Sequence, residues 1–99
     1  MKRTRTIVPD ARVTRPDAEI FGKRLRTLRE ARDLSQEDLA DIVTDHGGRL
    51  SGKYVSDLER GLKAPTLTML LKLSKALDAP VAELLQDFTP AVIRKLRLE

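Results

Sequence analysis

Between Ser51 and Gly61 the chain gathers side chains suited to reading or gripping an anion: Lys53, Tyr54, Ser56, Asp57 and Arg60, with Lys63 just beyond. Set on a helical wheel at about 100° per residue, Val55, Leu58 and Leu62 fall into one narrow apolar sector. Lys53, Asp57 and Arg60 lie opposite, and Ser56 sits at the margin. A helix anchored by one side and carrying short or straight polar groups on the other fits a DNA major groove, where base edges offer donors and acceptors. A solvated surface helix has the same pattern. Lys53 and Asp57, four residues apart, can equally pair along their own helix.

The elements that must hold this segment read as helices. Phe21, Leu25 and Leu28, with Ala31 beside them, form one stripe and predict a helix over residues 17–32, started by Thr14 or Asp17. Ser35 opens a second helix, with Asp38 completing a capping-box arrangement and Leu39, Ile42 and Val43 as its buried face. Asp45-His46-Gly47-Gly48 is a breaker. Ser51 caps the third helix and Gly61 closes it. Thr66 caps a fourth, with Leu67, Leu70, Leu71 or Leu73, and Leu77 inward. Asp78-Ala79-Pro80 ends it, and Pro80 starts a short fifth helix carrying Val81, Leu84 and Leu85. Val92, Ile93 and Leu96 predict a last short helix after Pro90. No strand alternation and no internal repeat is visible, so the reading is all-α.

Charge is unevenly spread. Residues 1–16 hold Lys2, Arg3, Arg5, Arg12 and Arg15 against Asp10, which accounts for the whole net charge of +4. Residues 17–99 balance. This arm lacks amphipathic periodicity and suits a polyanion, with nucleic-acid phosphates the commonest inside cells; a solubilising tail is the plainer alternative. With 40% apolar and 34% charged residues, one compact domain with an ionised surface is expected. The absence of cysteine removes disulfides, thiolate metal sites and thiol nucleophiles. A single histidine, His46, leaves a histidine metal cluster or a Ser-His-Asp triad without parts, and the glycine pair lacks P-loop spacing. Apolar runs reach only three residues, as in Met69-Leu70-Leu71. The expectation is a soluble cytoplasmic protein, associated with the nucleoid when bound to DNA, that is not an enzyme, has no membrane segment and needs no cofactor or metal.

The run Leu34-Ser35-Gln36-Glu37-Asp38-Leu39-Ala40, then Tyr54-Val55-Ser56-Asp57-Leu58-Glu59-Arg60-Gly61, then Pro65-Thr66-Leu67 resembles the Cro/CI-type (XRE) helix-turn-helix family. The likeness spans residues 18–86. It implies a five-helix, lambda-repressor-like bundle whose second and third helices form the DNA-binding unit, in a transcription regulator. Thirteen residues, Asp41 to Lys53, separate the two halves of the motif, where the family has a shorter run. The loop between helices 2 and 3 is therefore expected to be enlarged.

By resemblance, Gly52, Lys53, Ser56 and Asp57 take positions that face bases. Lysine donates to guanine O6 and N7, and a carboxylate accepts from the cytosine amino group. Gln36, Tyr54, Arg60, Lys63 and Thr66 take positions that meet phosphates, which set register rather than sequence. Arg49 in the enlarged loop is a further phosphate candidate or a solvated arginine, and Lys2, Arg3 and Arg5 form a DNA-following arm. Arg29 and Glu59 each lie roughly 40° off the apolar centre of their helix, and the resemblance makes them an inter-helix salt bridge. The expected organisation is an arm (1–16), a helix-turn-helix domain (17–87) and a C-terminal extension (88–99). Leu85, Phe88, Val92, Ile93 and Leu96 exceed what so small a domain needs and are expected to pair two copies, unless the tail folds back onto its own core. The expected function is a repressor binding double-stranded DNA at a palindromic operator as a homodimer. The rivals are an antitoxin-like protein and a protein-binding adaptor.

Overall fold

The computed structural model describes residues 15–44 and 50–98. They form six helices: α1 (Pro16–Ala31), α2 (Gln36–Val43), α3 (Gly52–Glu59), α4 (Leu67–Leu77), α5 (Val81–Leu84) and α6 (Pro90–Leu96). No strand occurs among the described residues. No helix there is long and apolar enough to cross a membrane.

Local chemistry sets the helix starts. Ser35 Oγ accepts from the Asp38 N–H at 2.9 Å while Asp38 Oδ2 accepts from the Ser35 N–H at 2.9 Å, the reciprocal box that satisfies two free donors. Ser51, Thr66 and Thr89 cap α3, α4 and α6 through their hydroxyl oxygens. α1 differs from the expectation. Its cap is Arg15, without a side-chain bond; Pro16, whose fixed φ suits the first turn, starts the helix, and Asp17 lies inside it. Thr14 lies outside the described residues.

The core is built from Leu25, Leu39, Val55, Leu58, Leu73, Leu77 and Leu84. α3 sits in its middle, packed against both α1 and α2. Burial corrects the expectations for Ala31, Ile42 and Leu67, which are exposed, and leaves Leu71 exposed as well. Leu39, Ala40 and Val43 centre the buried face of α2, which turns Ile42 roughly 100° away; Leu70, Leu73 and Leu77 do the same on α4, leaving Leu67 and Leu71 roughly 90–130° off. Among the alternatives for α4, Leu73 is the inward residue.

One contact fixes how α1 crosses α3. A Cβ at Gly22 would collide with the backbone carbonyl oxygens of Leu58 and Glu59. Only a residue without a side chain lets the two backbones come so close. The C-terminal half is tied on by Arg24, whose guanidinium meets Asp87 twice, at 3.0 and 2.8 Å. α6 itself buries no residue. Phe88, Ile93, Leu96 and Leu98 face Phe21 and Leu70 across an open apolar groove of about 350 Å³.

Candidate nucleic-acid interface

α3 is held at both ends. Glu37, in the first turn of α2, accepts from the Gly52 N–H at 3.1 Å, pinning the start of α3 to α2 across the long loop. Gly61 takes φ 78°, and its N–H and that of Leu62 bond back to Leu58 O at 3.2 Å and Asp57 O at 2.9 Å. A Cβ there would also press on the Glu19 backbone, 2.9 Å from its Cα. The orientation of α3 is thus set by its contacts with α1 and α2.

The inner edge of α3 carries a buried ion pair. Arg29 Nε donates to Glu59 Oε2 at 2.5 Å and Nη2 to Oε1 at 3.0 Å, while Nη1 reaches the Leu34 carbonyl at 2.7 Å. The side chains are 10% and 4% exposed. Gln36 joins them, with Nε2 donating to Glu59 Oε1 at 3.0 Å. One amide hydrogen is used there and the second remains for an outside acceptor.

The outer edge is different. Lys53 Nζ, Arg60 Nη2 and Lys63 Nζ approach the Asp57 carboxylate at 3.3, 3.1 and 3.5 Å. The three cations are 79%, 56% and 54% exposed; Asp57 is 5% exposed. Lys63 also lies 5.5 Å from the centroid of the Tyr54 ring, within cation–π range. Burial works to raise the Asp57 carboxyl. The hydrogen bond and charge of Lys53, the bond from Arg60 and the charge of Lys63 outweigh it, so the group is held below its ordinary range. Burial pushes the half-buried Tyr54 phenol above its ordinary value.

The expected sites therefore divide. Lys53, Ser56, Arg60 and Lys63 share the outward side of α3 and its following turn, with Lys53, Arg60 and Lys63 on solvent, while Tyr54 is partly buried against the core. Thr66 caps α4, its oxygen accepting from the Met69 N–H at 3.0 Å. Gly52 is buried, its N–H already taken by Glu37. Asp57 takes the second of its two expected roles, pairing with Lys53 along the helix at 3.3 Å. The wheel put it opposite the apolar sector, but the long neighbouring side chains close over the short carboxylate, which has no free edge to offer a base. Arg49, Lys2, Arg3 and Arg5 lie outside the described residues. Sequence reasoning missed Glu37; its only signal was an acid in the first turn next to Gln36.

This geometry, a short helix braced from within and cationic outside, is that of a DNA-binding helix-turn-helix regulator. A family model described as helix-turn-helix matches residues 25–84, and the chain belongs to that family, of the XRE type. Its members are transcription regulators, a non-enzymatic kind of protein. The chain is 33% identical over 78 residues to the cryptic phage CTXphi transcriptional repressor RstR of Vibrio cholerae, covering 79% of this chain and 66% of that protein. It is 37% identical over 79 residues to the control protein C.SmaI of Serratia marcescens, spanning 79% of this chain and 88% of that one. Among solved structures, the restriction-modification controller protein C.AhdI from Aeromonas hydrophila superposes with a TM-score of 0.62 at 44% identity, over 69% of this chain and 96% of that one.

Proposed function

We propose that this regulator represses transcription by laying α3 in the major groove of a palindromic operator, as a homodimer. The observation that carries the reading is the outward side of α3 and its following turn, where three cations are 54–79% exposed. In this reading Lys53 and Ser56 read bases, and Gly52 lets the Glu37 carboxylate of α2 close on the start of the recognition helix rather than touching DNA itself. Gln36, Tyr54, Arg60, Lys63 and Thr66 hold phosphates, with Arg49 and the arm residues Lys2, Arg3 and Arg5 adding backbone contacts. An ammonium this exposed has donors left over beside its carboxylate partner, so it can reach a base without giving that partner up.

The groove between α1, α4 and α6 supports pairing. Leu85, Phe88, Ile93 and Leu96 line it, Val92 lies on the same short helix, and Ile93 and Leu98 remain exposed. A second copy seated there would bury them and place two α3 helices on successive major grooves, about 34 Å apart or a multiple of that. Residues 88–99 then act as the dimerisation extension of the 17–87 domain.

Selection of bound duplexes from a random pool tests both parts. The expected result is one recovered motif with two-fold symmetry and that half-site spacing. A pool that stays random would overturn sequence-specific recognition. A single unsymmetrical site would overturn the dimer.

A further inference from the structure

Asp57 does not fit the role its position suggested, and its surroundings give it another. One carboxylate, 5% exposed, receives three cations from two elements: Lys53 and Arg60 at the two ends of α3, and Lys63 from the loop that follows. A single negative charge balances one of them, so the cluster keeps a net charge of +2 while its members stay oriented. Lysine and arginine side chains are otherwise among the costliest to fix, because immobilisation freezes several rotatable bonds in each. A buried anchor that gathers them beforehand lowers what DNA binding must spend on ordering them.

We infer that Asp57 is a positioning residue for DNA recognition, gathering Lys53, Arg60 and Lys63 into one pre-formed grip that presents the Lys53 ammonium to a base edge. The inference rests on the DNA-binding reading above. It runs against simple electrostatics, in which an acid facing a polyanion only repels it. Other charged groups packed nearby do not share the task. Glu59 is turned to Arg29 and Gln36, and Glu37 is bound to the Gly52 N–H.

The test compares wild type, D57N, K53A and the double variant on a duplex recovered by selection and on a scrambled duplex, with thermal unfolding followed by circular dichroism. Expected is a loss in D57N of about tenfold in discrimination between the two duplexes, within the range one well-placed base contact supplies. The preference should fade at the same base position that K53A affects. K53A should then add little in the D57N background, because both variants remove one arrangement. Should D57N fail to fold, D57E keeps the charge but displaces the carboxylate; it is expected to hold scrambled DNA as before and lose discrimination. The inference is overturned if D57N, or D57E in its place, changes affinity for both duplexes by the same factor in either direction. It is equally overturned if D57N and K53A act independently. A wild type that does not distinguish the two duplexes sinks the recognition reading itself.

Discussion

Asp57 and Glu59 are two carboxylates two residues apart on one short helix, each almost wholly buried and each bound to cations, yet they belong to different machines. Glu59 meets an arginine that is itself 10% exposed; the cations around Asp57 are 54–79% exposed. A carboxylate whose partner is buried has no competitor, so the pair is scaffold and its loss is felt in folding. A carboxylate whose partners stand in solvent shares them with whatever anion arrives, so its loss is felt in binding. The exposure of the partner, rather than that of the acid, separates the two roles.

The contrast has measurable consequences. Glu59→Ala strands Arg29 in the interior and should cost about 3–5 kcal/mol in urea unfolding, the usual penalty for breaking one side of a buried pair. Gly22→Ala forces α1 off α3 and should cost about 1–3 kcal/mol by the same measurement, the range for overpacked contacts. A neutral result there would mean that the two backbones do not lie as close as described. Lys53→Ala should leave stability within about 0.5 kcal/mol while removing about 1–3 kcal/mol of base preference at one position. Gln36→Ala should weaken binding to every duplex alike, since in the proposed reading its spare amide hydrogen meets a phosphate, which carries no sequence information. If Lys53→Ala lowers affinity uniformly, its assignment to a base is wrong.

Acid supplies the mildest perturbation. Asp38 is held below its ordinary range by bonds from the Ser35 N–H and hydroxyl, Asp87 by its bond to Arg24, and Asp57 by its three cations. Groups depressed on folding contribute stability that is whole above the unfolded value of about 3.9. That contribution is lost as pH falls through the lower folded values. Melting temperature should therefore be insensitive to these three groups above about pH 5 and decline below pH 4. Asp38→Asn should blunt the decline without touching DNA affinity.

Much of the fold was readable because its signals are local. The Ser35–Asp38 box and the Ser51 and Thr66 caps each need only three neighbouring residues, and all three stand where the spacing put them. Periodicity was less exact: it found the apolar stripes but not their edges, which is how Ala31, Ile42 and Leu67 were placed on the wrong side. Contacts between distant segments left no trace. Nothing around Gly22 announces Leu58, and nothing around Arg24 announces Asp87, 63 residues away. The pairing of Arg29 with Glu59 was suggested by family resemblance rather than by the residues. The burial of Asp57 was invisible because a wheel assigns direction and ignores the reach of neighbouring side chains.

What enters the duplex is best settled by amide chemical-shift mapping as a selected duplex is added to the full chain. Shifts should concentrate on Gly52–Lys63, Gln36 and Thr66, and vanish with added salt. Perturbation confined to the groove of Phe21, Phe88 and Ile93, with α3 silent, would contradict the account and leave the protein a partner-binding module.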